Sequence, residues 1–192
     1  KQPYGCKDIV GDQIVPVELI GHEYIVMRGY LTSEERVFIT GTKPGTIVNM
    51  GGSAPASATI GAGQVVSFQI IDRATLISAS QPIYIFHLTG FGCEMGGALL
   101  PTIDGCTGSN SVTFTRTPTT SDQFFMNIMV RNDTVDGSLA ENQSIYNFTL
   151  LVNGTTHTIP DTYFEYIEDS AFAVLRDDPV VHQFFSNRIA PG

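Results

Sequence analysis

The stretch whose reading decides the fold is Ser80 to Ser109, SQPIYIFHLTGFGCEMGGALLPTIDGCTGS. Its first part, Ile83 to Thr89, is a β-branched and aromatic run bounded by Pro82 and Gly90, which is the composition of a strand. After it comes a glycine-rich loop carrying two of the three cysteines, Cys93 and Cys106. The same loop holds Glu94, the pair Gly96-Gly97 and an apolar run from Ala98 to Pro101. A loop this apolar is expected to fold back over a core, with Ala98 to Pro101 buried, and to be stapled there by a disulfide. Three cysteines allow three different single bridges. Cys93–Cys106 is the expected one because a single Gly-rich loop can bring both thiols together. Closing a loop of that size contributes about 3 kcal/mol. Cys6 is then left over, free or paired outside the chain.

Upstream of this stretch the chain reads as short strands separated by turn signals. They are Glu23 to Arg28, Arg36 to Thr40, Thr46 to Met50, Ala58 to Ile60, Gln64 to Ile70 and Thr75 to Ser78. Lys43-Pro44-Gly45 is a strong turn, with Pro set for the second position and Gly for positive φ. Downstream, strands are expected at Val112 to Arg116, Phe124 to Arg131, Ile145 to Val152, Thr155 to Ile159, Tyr163 to Ile167, Ala171 to Leu175 and Val180 to Phe185. Asn153-Gly154 between two alternating runs is the best short-range hairpin signal in the chain. Short strands with turns every six to twelve residues or so are the pattern of an antiparallel sandwich.

The two halves also look alike. Ser80-Gln81-Pro82-Ile83-Tyr84 answers to Asp177-Asp178-Pro179-Val180-Val181, each followed by an aromatic, histidine-bearing run. The expected architecture is therefore all-β, with two similar antiparallel sandwich-like repeats. The first, residues 1–109, ends in the cysteine loop; the second covers residues 110–192.

Composition narrows the function classes. A net charge of −9 over 192 residues argues against a nucleic-acid groove and against docking to anionic lipid. No apolar run approaches the roughly 18 residues of a membrane helix. The chain opens on Lys1 without a signal peptide, so it reads as a processed protein or a piece of a longer one. Cysteines in a strand-rich chain point to an oxidising compartment, with a cytosolic protein holding three buried thiols as the alternative.

No catalytic constellation stands out. Neither Ser53 nor Ser109 lies in the strained G-x-S-x-G turn of a hydrolase nucleophile. His22, His87, His157 and His182 are scattered singly, without metal-ligand spacing. A catalytic pairing of Cys93 or Cys106 with His87 or His182 would be abolished by the expected disulfide. His87, on a strand, reads as a histidine satisfied within the fold. Asp177-Asp178, Glu168-Asp169 and Asp133 with Asp136 are hard oxygen ligands in loops, the donors calcium takes. None has the alternating acids of an EF-hand, and solvated turn acids are the favoured reading, so no cofactor is expected. Four N-x-S/T sequons, at Asn132, Asn142, Asn147 and Asn153, are candidate N-glycan sites. Thr134 and Ser170, each between an acid and a small apolar residue, are candidate O-glycan sites of the kind used by Bacteroidota.

Two stretches resemble a known family. GDQIVPVELIGHEYIVMRG, Gly11 to Gly29, and the cysteine-loop stretch are similar to the N-terminal domain of IgGFc-binding proteins. That family includes an animal mucus protein and large surface or secreted proteins of bacteria, notably Bacteroidota. The matching residues are Gly21-His22-Glu23-Tyr24, Ala62-Gly63-Gln64, the strand from Pro82 to His87, and the loop from Cys93 to Cys106. The resemblance implies an extracellular β-rich module of an adhesin-like or filament-forming chain, with no catalytic residues to carry over. The expected role is adhesion or assembly, with other protein modules or copies of itself as partners, or surface glycans or host proteins. A glycan- or protein-ligand-binding module assisted by calcium is the competing class.

Overall fold

The computed structural model describes residues 10–104, 109, 111–115, 126–131, 134–135, 138–139, 148–167 and 170–189. The chain divides into two units, Lys1–Gly108 and Ser109–Gly192. It is mostly β, with antiparallel sheets.

The first unit contains β1 (Gly21–Met27), β2 (Tyr30–Leu31), β3 (Arg36–Gly41), β4 (Thr46–Met50), β5 (Ala56–Ile60), β6 (Val65–Gln69), β7 (Ala74–Gly92) and β8 (Glu94–Leu99). Every neighbour in this sheet is arranged around β7. The N-terminal half of β7 is flanked by β1 on one edge and β4 on the other, and β5 continues outward from β4. Its C-terminal half is flanked by β8 and β3, with β6 outside β3. The short β2 adds one parallel contact at Phe91 and Gly92.

Separate strands are expected on either side of Pro82, yet β7 runs through it. Proline lacks the N–H a ladder needs, and the pairing is interrupted there. Gly21 faces Ile83 and Glu23 faces Ser78, so Ala79 to Pro82 bulge opposite His22 alone. Thr42 Oγ1 donates to the Pro82 carbonyl inside this irregularity. Extra residues of this kind on one strand bend it locally. Ile77 and Ile83, on opposite sides of the bulge, share one core with Tyr24, Val26, Val37, Ile39, Val48 and Ile85.

The segment after β7, expected as loop, is a strand instead. Gly92 (φ 59) and Cys93 turn β7 directly into β8, pairing Phe91 with Glu94. Gly in the first central position with φ above zero is the two-residue hairpin turn whose twist suits the flanking strands. Glycines at 96 and 97 disguise this strand in sequence. The expected burial of Ala98 to Pro101 is corrected as well: Ala98 and Pro101 are exposed, while Leu99 and Leu100 are half-buried. Among the described residues, strand β8 has a sheet neighbour on one side only, and of the four Leu100 alone packs against the core.

The second unit contains β9 (Met129–Arg131), β10 (Thr134–Val135), β11 (Ser138–Leu139), β12 (Thr149–Val152), β13 (Thr155–Thr158), β14 (Phe164–Tyr166), β15 (Phe172–Leu175) and the helix α1 (Pro179–Ser186). Strands β14, β15 and β9 form one antiparallel sheet, and β12–β13 and β10–β11 are hairpins. Asn153 (φ 48) and Gly154 (φ 79) make the turn of β12–β13, both central residues at positive φ as the Asn-Gly pair predicts.

Two strands expected here are absent. Residues 112–115 are exposed and irregular, and Arg116 lies outside the described residues. Val180 to Phe185 is helical. Asp178 caps α1, its Oδ1 accepting from the Val180 and Val181 amides at 3.0 Å each, and Pro179 opens the first turn, where it loses no bond. Val181, Phe185 and Ile189, four apart, lie in the core with Val130, Phe164 and Leu175. The best sequence match between the halves thus joins a strand, Ile83-Tyr84, to a helix, Val180-Val181. Proline before β-branched residues is compatible with both.

Candidate functional site

Residues Gly21-His22-Glu23-Tyr24 form the start of β1, beside the bulge in β7. Tyr24 is fully buried, and its hydroxyl bridges two main-chain groups. It donates to the Ile83 carbonyl at 2.6 Å and accepts from the Gly21 amide at 2.9 Å. Gly21 and Ile83 face each other where the register of β1 on β7 is irregular, and the phenol bridges them. The segment after β8 closes over the outer edge of β1. Thr102 Oγ1 and the Ile103 amide both donate to the Glu23 carbonyl, at 3.0 and 2.9 Å. Asp104 Oδ2 accepts from the His22 amide at 2.8 Å, and its Oδ1 shares the single Thr102 hydroxyl proton with the Glu23 carbonyl. A Cβ on Gly21 would overlap the Asp104 carboxylate and the Thr102 hydroxyl, so only glycine admits the clasp.

A second polar cluster lies under the C-terminal half of β7. Glu35 is 1% exposed and His87 5%. Glu35 Oε2 accepts from the Gly29 amide at 2.9 Å, from Thr89 Oγ1 at 3.0 Å and from His87 Nε2 at 3.2 Å. Oε1 accepts from the Leu31 amide at 3.1 Å. A carboxylate only accepts, so His87 carries a proton on Nε2. Burial pushes the Glu35 pKa up; the bonds from His87, Gly29, Leu31 and Thr89 outweigh it, and the net direction is down. The chemistry available to this pair is structural. Its acceptor capacity is spent on the Gly29–Glu35 connection between β1 and β3, which has its amides pointing inward. His87 is satisfied within the fold, as expected. Glu35 carried no signal in sequence beyond an acid at the end of Ser33-Glu34-Glu35, next to a strand.

The third cluster surrounds the start of α1. Arg176 Nη2 lies 3.0 Å from Asp178 Oδ2, and His182 Nε2 lies 2.9 Å from Asp177 Oδ1. The Asp178 carboxyl is held below its ordinary range, first by the Val181 amide, with Arg176, the Val180 amide and His182 adding to the effect against desolvation. Asp177 and Asp178 therefore act as helix cap and ion-pair partners. Among the described residues no group of His, Cys, Asp and Glu is arranged to hold a metal ion.

Of the other expected sites, Cys93 sits in the β7–β8 turn and is disulfide-bonded. Cys6 and Cys106 lie outside the described residues, and the expected clasp to Cys106 falls there with them. Asn132, Asn142, Asn147, Asp133, Asp136, Glu168 and Asp169 lie outside them too. Asn153 is exposed in its hairpin turn. Thr134 is placed in β10 by its backbone. The Ser170 hydroxyl donates to the Ile167 carbonyl at 3.0 Å and accepts from the Phe172 amide at 3.2 Å, closing the turn into β15.

Among the described residues no helix is long and apolar enough to cross a membrane. Residues 1–180 match the family model described as IgGFc binding protein. Comparison with curated proteins and with solved structures gives no match.

Proposed function

The chain belongs to the IgGFc-binding protein family, and on that premise we propose that it is a non-enzymatic extracellular module of a cell-surface adhesin or filament-forming protein, acting in adhesion or assembly. The observation that carries this reading is where the motif residues go. Gly21, Tyr24, His87, Thr102 and Asp104 hold strands and connections to one another through buried or main-chain bonds. Such residues build a rigid scaffold and leave contact with partners to the outer faces of the sheets. Partners are then other protein modules, copies of the same chain, or surface glycans and host proteins. A net charge of −9 disfavours nucleic acid.

The test is labelling of intact producing cells with a membrane-impermeant reagent, followed by peptide mapping without reductant. The expected result is label on the chain before lysis and Cys93 recovered in oxidised form. Label appearing only after lysis would overturn the extracellular reading.

The competing reading, a glycan- or protein-ligand-binding module assisted by calcium, has less support. The Asp177 and Asp178 carboxylates are already engaged by His182, Arg176 and the helix amides. We take the chain to need no cofactor. Thermal melting with calcium and with a chelator is expected to give the same midpoint; a rise with calcium would restore the competing reading.

A further inference from the structure

We propose that the open edge of β6 pairs with β6 of a second copy, antiparallel, to continue the sheet across a two-fold axis. The proposal deepens the assembly reading above and rests on it by naming the partner and the seam.

The edges of the first unit are treated unequally. On one side, β1 is closed by Thr102, Ile103 and Asp104, and β8 by the Asp12 carboxylate, which accepts from the Leu99 amide at 2.8 Å. On the other side lie β5 and β6, with no second strand beside either among the described residues. Natural sheets guard such edges with charges, prolines, bulges or a covering segment. Strand β6, Val65-Val66-Ser67-Phe68-Gln69, has no charge, no proline and an unbroken register to β3.

Which main-chain groups face outward follows from the bonds that bracket β6. The Ile70 amide donates to Glu35 O at 2.9 Å, and the Gly41 amide donates to Gln64 O at 3.0 Å. By alternation, Val66 and Phe68 bond to β3, while Val65, Ser67 and Gln69 turn their N–H and C=O to the open edge.

Those outward groups are self-complementary. Antiparallel pairing centred on Ser67 places Val65 opposite Gln69 of the second copy and Ser67 opposite its own equivalent. Each facing pair exchanges two main-chain bonds, about six in all. No like charges meet. The nearest charged side chain, Arg36, is engaged by Glu34 at 3.1 Å and by Ser67 Oγ at 2.9 Å. On the outer face, Phe38 (37% exposed) stands beside Ser67 in the row through the axis, and Val65 (58% exposed) would lie against the uncharged Gln69 of the second copy. A two-fold, self-facing contact of this kind is the commonest symmetric assembly.

The experiment measures the mass of the full 192-residue chain by sedimentation equilibrium over a wide concentration range. A concentration-dependent dimer is expected. Val65→Lys with Gln69→Lys sets like charges opposite each other and should weaken the dimer by about 10-fold or more. Val65→Glu with Gln69→Glu should do the same. An equimolar mixture of the two variants should associate again, because opposite charges then face across the seam; a fold defect would not be rescued this way. Ser67→Cys, at the two-fold axis, should form an intermolecular disulfide under mild oxidation that wild type lacks. Ser57→Lys with Thr59→Lys on β5 should leave the dimer unchanged. A chain that stays monomeric, a mixture that fails to re-associate, no cross-link at Ser67→Cys, or loss of the dimer through β5 would each overturn the seam. A monomer that is still labelled on intact cells leaves the extracellular reading standing, so the two fail separately.

Discussion

Replacing Glu35 by Gln tests whether the buried carboxylate is the anchor of the β1–β3 connection. The two oxygens face different main-chain donors, Gly29 on Oε2 and Leu31 on Oε1. His87 and Thr89 can reverse their roles, by tautomer and by hydroxyl rotation, and accept from an amide. The two backbone amides cannot. Whichever way the glutamine is turned, its NH2 opposes one of them and leaves a buried N–H unsatisfied, at about 1–3 kcal/mol. The remaining bonds become neutral where they were charge-assisted, which adds about 1 kcal/mol more. A loss of about 3 kcal/mol, with a urea m-value of about 1.5–2 kcal/mol/M, moves the midpoint of the first unit down by about 1.5–2 M. Hydrogen exchange followed by NMR gives the local readout: the Gly29 or the Leu31 amide should exchange much faster in the variant.

The same group makes a pH prediction. The folded Glu35 pKa lies below its ordinary value, so the unfolded chain binds the proton more tightly and stability rises with pH. Its contribution is fully present above the ordinary glutamate range and is lost as pH falls through the lowered folded value. Wild type should lose stability on acidification there, and Glu35→Gln should show a flatter acid profile. An unchanged urea midpoint, with both amides still protected, would refute the anchoring role.

Tyr24→Phe removes the buried hydroxyl bridge between the Gly21 amide and the Ile83 carbonyl; urea melts should show a loss of about 1–3 kcal/mol in the first unit. Gly97→Ala places a Cβ against the Phe86 ring and the Val10 side chain, so limited proteolysis should cut the N-terminal segment faster, with the sheet core still resistant. Asp178→Ala removes the cap of α1 and should lower helical circular dichroism near 222 nm. Because the Asp178 carboxyl is held below its ordinary range, the difference from wild type should be full at neutral pH and vanish as the wild-type carboxyl protonates in acid.

Local patterning was enough for much of this chain. Alternation of β-branched residues placed Arg36–Gly41, Thr46–Met50 and Val65–Gln69 to within a residue or so at each end, and the Asn153-Gly154 turn was legible because only a few residues accept positive φ. The β-branched and aromatic run Ile83 to Thr89 marked a strand, and the motifs between Ser80 and Ser109 carried the family resemblance. Where local signals were ambiguous, contacts distant in sequence decided. Glycine has no β-propensity to announce it, so β8 became a strand only by lying against β7. Asp178-Pro179-Val180-Val181 suits a strand entry and a helix entry equally. The helix prevailed because it sends Val181 and Phe185 into one core, where Ile189, just past its end, joins them.

The least legible residue is the buried carboxylate Glu35. Glu35 looks like any acid in a polar turn, and its role exists only once His87 and Thr89, more than fifty residues away, are brought beside it. Sequence by itself determined the strand-and-turn alphabet, the charge and the family. Tertiary structure alone decided that β7 runs on through Pro82 with a bulge at Ala79 to Pro82, which edges are closed and which stay open. The reason is physical: propensity acts between neighbours in the chain, whereas burial of a carboxylate or the pairing of an edge depends on which distant segments meet.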